Sequence, residues 1–330
     1  MLDPIGSQVI DYVYAQMKVS EKWSLRQERG FTWWGHTVAQ RVWADPPRED
    51  NGQPITRIHV ETDLLREVPD TLQLLTELGL VNRRATLSAL VLDKGTRRLR
   101  YHSTVYAWPD GVTVSQPLAF SAATLQLGEA FMWAEAFAQT LGARVDESAH
   151  PVSGPRTEAD EMVGWTYLLE ETGRDQALLP PGTFEALAGR QPRPWVLATA
   201  DDGGLTGEYP FFGPTPAVLC PRGRPQTALF QACYATHPQA GKGILLRLTL
   251  PLKSDPALPQ SLNHQEATEW SGASLLGAWC HDEKGPTFVT FLPGILAVPW
   301  MVELLSWGAN SRTQWAREAL LPFQMALPLN

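Results

Sequence analysis

The sequence contains only three cysteines, Cys220, Cys233 and Cys280, and none of them forms a C-x-x-C pair. The odd count predicts no disulfide framework, so we expect a reducing, cytoplasmic environment. No apolar run approaches the roughly 18 residues that a membrane-spanning helix needs. The first residues lack a basic segment and carry Asp3 and Asp11, which is not typical of a signal peptide.

Basic side chains are also scarce. The chain has 27 Lys and Arg against 35 Asp and Glu, which gives a formal net charge of -8. Non-specific binding to nucleic acid depends on a basic surface, so nucleic acid is not favoured as a partner. One local exception keeps this function open as an alternative. Arg98 and Arg100 share one face of a predicted strand with His102.

No motif has the form that a known chemistry requires. In "CHD" (280–282), a strand would turn His281 away from Cys280 and Asp282, whereas a catalytic triad needs the histidine between the other two. His264 and Glu266 form an H-x-E without the P-C-x-x-C of zinc deaminases, so a solvated helix face is expected there. The sequence therefore predicts no catalytic residue, no metal site and no cofactor. An enzyme with a dispersed site remains an alternative.

Tryptophan is abundant, with 13 copies, and three of them lie in "FTWWGHTVAQRVWAD" (31–45). On a strand, Trp33 and Trp34 point to opposite faces. Trp43 then shares a face with Arg41, while the valines of the same strand take the other face. Aromatic side chains are enriched at binding hot spots. We therefore predict a partner-binding surface that draws on Trp33, Trp34, Arg41 and Trp43.

Two alternatives to this surface remain. Helices can cover the Trp43 face, in which case its residues belong to the core. A helix over 37–44, with Ala39 and Trp43 one turn apart, also fits the spacing. If the face is open, Trp43→Ala should leave folding largely intact and weaken partner binding. Gross unfolding of that variant would place Trp43 in the core.

Hydrophobic periodicity divides the first half into alternating helices and strands. The residues "ITRIHVETDLL" alternate cleanly and predict a strand that pairs with the preceding one across the spacer "PPREDNGQP". Glycines mark two predicted helix ends. The predicted elements are a helix at 4–18, strands at 23–34, 37–45 and 55–65, a helix at 70–78 ended by Gly79, strands at 87–93 and 97–108, and a helix at 121–141 ended by Gly142.

The second half repeats this order. "SALVLDKGTRRLRYHSTVYAWPDG" (88–111) and "LGAWCHDEKGPTFVTFLPG" (276–294) each contain an apolar strand, an acidic-Lys-Gly turn and a second strand. In both, a Pro- and Gly-containing break and a long amphipathic helix follow. The segment between the halves is rich in Pro, Ser and charge. We predict an α+β protein of two tandem domains, 1–148 and 160–330, with a linker at 149–159 and extra strands at 195–235 in the second copy. Chance similarity of two α+β domains is the alternative.

This order of elements resembles that of YbjN-like proteins and of type III secretion chaperones. The resemblance covers most of the chain but rests on element order, so it identifies no site residues. It implies domains that pair into dimers and bind protein segments without catalysis. The expected function is therefore non-enzymatic binding of a macromolecule, as a chaperone or adaptor for a protein. The chain would be a monomeric pseudo-dimer or a homodimer.

Overall fold

The computed structural model describes residues 4–50, 52–164, 179–190, 196–200, 203–211, 227–238, 240–252 and 256–324. Within them the chain is a mixed α+β protein with two separate antiparallel sheets. No helix in these ranges is both long and apolar enough to cross a membrane. The sequence also predicts a strand at "AVLC" (217–220) and a helix with Met162, Trp165 and Leu169 on one face. That strand and the positions of Trp165 and Leu169 lie outside the described residues.

The first half forms a sheet in the order β1-β2-β3-β5-β7-β6, and β4 and β8 pair with β5 at the side of this path. The helices and strands predicted for this half are present, with different boundaries. The elements are α1 (Pro4–Gln16), β1 (Ser24–Gln27), β2 (Gly30–Trp33), β3 (Gln40–Ala44), β4 (Arg48–Asp50), β5 (Gln53–Arg66), α2 (Leu72–Asn82), β6 (Ala89–Asp93), β7 (Arg98–Ala107), α3 (Val112–Leu141) and β8 (Arg144–Val145).

The second half forms a sheet in the order β9-β10-β11-β12-β14-β13. Strands β9 to β12 lie side by side in chain order, and the second strand of the β13–β14 hairpin, β14, pairs with β12. The first sheet has the same arrangement, because the second strand of its β6–β7 hairpin, β7, pairs with β5. The predicted hairpin and final helix are both present. The elements are α4 (Thr183–Arg190), β9 (Val196–Thr199), β10 (Leu205–Pro210), β11 (Thr227–His237), β12 (Gly241–Thr249), α5 (Ala257–Thr268), β13 (Ala278–Asp282), β14 (Gly285–Pro293) and α6 (Pro299–Gln324).

The two halves meet through equivalent elements. Helix α2 packs against β13, and α5 packs against β6. The Thr104 N–H donates to the Leu275 carbonyl (3.1 Å), and the Phe291 N–H donates to the Thr86 carbonyl (3.2 Å). When the β6–β7 and β13–β14 hairpins are aligned by their registers, Thr104 corresponds in position to Phe291, and Thr86 corresponds to Leu275. The contacts between the halves are therefore reciprocal at these positions.

Several predicted boundaries need correction. Helix α2 continues through Gly79. Gly79 is buried, and a Cβ added to it would lie 3.6 Å from the His281 Cβ. Gly79 is thus a packing position rather than the end of the helix. Helix α3 begins at Val112, well before the predicted residue 121. The sequence places this start too late because Pro117, inside the helix, obscures the helical pattern. Gly142 ends α3 with a φ of 61°, as predicted.

Other differences concern strands and loops. The segment 23–34, predicted as one strand, is the β1–β2 hairpin. The spacer after β3 contributes β4. The stretch 180–194 is loop-like in sequence, with room for one helical turn, and it contains the two-turn helix α4. The predicted linker packs on the first half. His150 lies edge-on to Trp34 at 5.2 Å, and Arg156 Nη1 donates to the Trp34 carbonyl at 2.8 Å.

Helices α1 and α3 cover one face of the first sheet. Alternate strand residues on that face belong to the core. Most charged and aromatic side chains of β3, β5 and β7 lie on the opposite face, because side chains alternate along a strand; Tyr101 of β7 is an exception and packs in the core on the α3 side. The core residues include Phe31, Trp33, Val42, Ile58, Val60 and Val105.

Candidate binding site

The adjacent tryptophans are both inside the protein. Trp33 lies in the core under α1 and α3 with no exposed surface. Trp34 is also buried, and its Nε1 donates to Ser148 Oγ at 2.9 Å. Neither side chain offers a surface to a partner. The prediction that Trp33 and Trp34 belong to a partner-binding surface is therefore wrong. Of the predicted surface, only Arg41 and Trp43 remain.

Arg41 and Trp43 share the face opposite the core, as predicted, and both are half-buried. The Trp43 ring stacks on the His59 ring at 4.6 Å with an interplanar angle of 3°. Arg41 forms a two-bond pair with Asp63 (2.8 and 2.7 Å) and a further bond with Glu61 (3.0 Å). Two carboxylates thus hold the guanidinium flat on the sheet.

A chain of ionisable side chains continues from Trp43 across the sheet. His59 Nδ1 lies 3.2 Å from His102 Nε2, and His102 Nδ1 lies 3.5 Å from Glu61 Oε2. At the other end, His59 Nε2 lies 3.1 Å from Asp45 Oδ2, in a direction that does not meet hydrogen-bond geometry. The alternation of β5 predicted that His59 and Glu61 share a face. Their meeting with His102 depends on the β5–β7 register.

Burial sets the charge state of His59, and neighbouring charges set that of Glu61. Desolvation lowers the pKa of His59 to about 4, against the opposing effect of Asp45. Desolvation acts to raise the pKa of Glu61, but the hydrogen bond and charge of His102 and the charges of Arg100 and Arg41 lower it to about 2. At neutral pH, His59 is neutral and Glu61 is ionised. The groups are packed against one another, which leaves no space for a substrate between them.

The predicted basic strand face is present, but its charges are paired. Arg98 lies 3.3 Å from Asp146, and Arg100 lies 3.2 Å from Asp63 and 3.5 Å from Glu61. This face therefore carries no excess positive charge for a phosphate backbone, which removes the observation that favoured nucleic acid.

A groove opens between the two halves at one end of the same face. Its volume is about 430 Å³. Trp270 packs on Tyr106 with ring centroids 4.5 Å apart. Arg57 connects the groove with the network, because it donates to Asp45 (2.8 Å) and to the Thr268 carbonyl (3.2 Å). The main apolar lining residues are Tyr106, Trp108, Trp270, Leu304, Leu305 and Trp307.

A buried ion pair fixes the floor of the groove. Arg312 Nε donates to Glu266 Oε1 at 2.6 Å, and Trp279 Nε1 donates to Glu266 Oε2 at 2.8 Å. Arg312 also donates to the Ser274 carbonyl (2.8 Å) and lies 3.6 Å from the Phe288 ring centroid. The expectation of a solvated helix face is wrong for Glu266, because its side chain is fully buried. Its partner Arg312 comes from a helix that is distant in the sequence, so the sequence pattern did not reveal the pair.

The "CHD" residues lie on β13 and form no catalytic group. Cys280 is buried, and desolvation raises the pKa of its thiol to about 12, so the thiolate nucleophile is not populated at neutral pH. Throughout the described ranges, no cluster of three or more His, Cys, Asp or Glu side chains has the arrangement of a metal site.

Comparisons with known proteins add no relative. No protein-family model matches the chain, and neither a curated protein nor a solved structure matches it. The resemblance to YbjN-like proteins and type III secretion chaperones stays a prediction. The function has to be inferred from the groove and its surroundings.

Proposed function

We propose that this chain is a non-catalytic binding protein, of the chaperone or adaptor type, that holds an apolar segment of a partner protein in the groove between its halves. The observation that carries the proposal is Trp307, which lines this aromatic groove and is 46% exposed. Tryptophan, tyrosine and arginine dominate binding hot spots because they bury much area in desolvated pockets.

The relation between the halves supports the same function. We infer a tandem duplication, because the two sheets share one strand order and the halves contact each other reciprocally. Tyr106 and Trp108 come from the first half, and Trp270 and Trp307 from the second, so the groove exists only where both meet. A two-fold pair that binds a protein segment is what the YbjN-like and chaperone-like resemblance implies.

The buried network behind the groove favours binding over chemistry. Arg312 and Arg57 are both held by carboxylates and by backbone carbonyls of 268–274, which fixes the wall that carries Trp270. A preformed wall reduces the entropy lost when a partner binds. The carboxylates of Asp45 and Glu266 are engaged with these two arginines, so neither is free to act as a general base at the groove.

The test uses a photo-crosslinking amino acid in place of Ser311, which lines the groove one helical turn from Trp307, so that Trp307 itself is kept. The chain is expressed in its native host. We expect crosslinks to an apolar or amphipathic segment of one or a few proteins. With that segment as a peptide, Trp307→Ala should weaken the affinity measured by calorimetry about thirtyfold or more, as expected when a hot spot of about 2 kcal/mol or more is removed.

Leu229 provides the matched control, since it is 43% exposed on β11 and lies outside the groove. A crosslinker at 229 should not recover the same segment, and Leu229→Ala should leave the affinity within twofold. Equal crosslinking from both positions, or unchanged affinity in Trp307→Ala, would contradict the proposal. Turnover of a small molecule that depends on His59 or His102 would favour the enzyme alternative.

A further inference from the structure

A second cavity lies in the first half and shares no lining residue with the groove. Its volume is about 380 Å³. It opens where the end of α2 passes over β6, β7 and α3. Most of its wall is apolar or aromatic, and Trp133 stacks on Phe137 with ring centroids 6.2 Å apart. The apolar lining residues are Leu80, Val81, Leu90, Tyr101, Trp133 and Phe137.

Glu129 places a carboxylate in this cavity and is only 8% exposed. Thr86 Oγ1 donates to its Oε1 at 2.8 Å. Within the described part of the chain, no Lys, Arg or His forms an ion pair with it. Ser88 also lines the cavity, and its buried Oγ has no hydrogen-bond partner among the described residues.

These two groups could both be satisfied by a cationic hydrogen-bond donor. A buried carboxylate without a counter-ion is unfavourable, and it gains most from a cation that reaches it. The faces of aromatic rings also attract cations. Among the other ionisable residues along the cavity, Tyr101 is buried, whereas Arg83 and Arg84 are exposed at its rim. Arg83 is engaged with the His281 carbonyl at 2.6 Å.

We propose that this cavity binds a small protonated organic amine with an apolar body. The ammonium group donates hydrogen bonds to Glu129 and Ser88, and the body packs against Trp133 and Phe137. Of the other polar lining residues, Asn82 is bonded to the Leu90 backbone and the two arginines lie at the rim. Glu129 and Ser88 therefore suit one charged head group on an otherwise apolar molecule. This site is independent of the groove and of the function proposed for it.

Burial raises the pKa of Glu129 to about 7, although the hydrogen bond from Thr86 opposes this shift. Below this pH the free protein carries a neutral acid at the site, which has to lose its proton before it pairs with an ammonium. We therefore expect the affinity for an amine to fall as the pH decreases below about 7, by up to about tenfold for each pH unit.

Calorimetry with 2-phenylethylamine tests the site, with neutral 2-phenylethanol and anionic 3-phenylpropanoate as comparison ligands. We expect saturable binding of the amine and at least tenfold weaker binding of the other two. Glu129→Gln keeps an oxygen acceptor for Thr86, so it should fold and lose at least tenfold in amine affinity. Glu135→Gln removes the same charge from an exposed position of α3 and should stay within twofold.

Four results would overturn the proposal. The amine could fail to bind saturably at millimolar concentration. The alcohol could bind as tightly as the amine, or Glu129→Gln could retain the affinity of the native chain. Tighter binding of 3-phenylpropanoate would instead make Arg83 and Arg84 the recognition groups and would equally overturn it.

Discussion

His59 lies beneath the Trp43 ring with 3% of its surface exposed. Burial lowers its pKa to about 4, from an ordinary value of 6.5. Between these two values the unfolded chain binds a proton at this position and the folded chain does not. Acidification therefore favours the unfolded state, and the stability that neutral His59 contributes is lost as the pH falls from about 6.5 towards 4.

We expect His59→Gln to reduce the acid sensitivity of the fold. From pH 7 to about pH 5, the native chain should lose roughly 2 kcal/mol more of its free energy of unfolding than the variant. Urea unfolding at the two pH values measures this difference. Other buried groups with shifted pKa, such as His36 and Glu129, are present in both proteins and cancel in the comparison.

His264 supplies the control, because it is exposed on α5. His264→Gln should show the same loss between the two pH values as the native chain. An equal loss in His59→Gln would mean that His59 is not held neutral by burial.

At the scale of elements, the β2–β3 pair positions Trp43. Gly30 lies opposite Trp43 in this ladder. An added Cβ at Gly30 would overlap the Val42 carbonyl oxygen and lie 2.8 Å from the Trp43 Cα. Glycine in a strand interior often marks such a close approach of two backbones. The position of β3, which carries Arg41 and Trp43, thus requires that residue 30 on the neighbouring strand has no side chain.

We expect Gly30→Ala to destabilise the fold by about 2–3 kcal/mol, because β2 and β3 must separate. The matched variant is Gly189→Ala in α4, where an added Cβ meets no atom within 4 Å. That variant should be stabilised by about 0.5–1 kcal/mol, since alanine is the better helix former. Urea midpoints measure both, and a Gly30→Ala midpoint at the native value would contradict the close approach.

At the scale of the whole molecule, hydrogen bonds join the two halves. Thr104 contributes twice, because its N–H donates to the Leu275 carbonyl and its Oγ1 accepts from the Leu275 N–H at 2.9 Å. Tyr106 and Ser274 extend the contact with a bond of 3.1 Å. Both halves therefore depend on the same buried polar groups, and we expect them to unfold together.

We expect Thr104→Val to destabilise the entire chain by about 1–3 kcal/mol, because the buried Leu275 N–H loses its acceptor. The loss should appear as a shift of one cooperative transition, followed by both fluorescence and circular dichroism. Thr140→Val is the control, since this threonine is exposed and bonds only within α3. Two separated transitions in the variant would show that the halves unfold independently.

The sequence by itself determined the local elements and the sidedness of the strands. Helix α1, the alternation of β5, the Asp93–Gly95 turn and the end of α3 at Gly142 follow from periods of 3.6 and 2 and from glycine geometry. The same rule placed Arg41 and Trp43 on one face. These features depend on neighbours a few residues apart, which the sequence lists directly.

Only the tertiary structure decided which faces are covered. Trp34 is buried by the segment around Ser148, and Glu266 is buried by Arg312. The groove at Trp307 and the cavity at Glu129 likewise combine residues far apart in the chain. Burial and pairing at these positions depend on strand register and on the docking of two halves. No local period encodes those long-range contacts, so the sequence alone left the binding surface open.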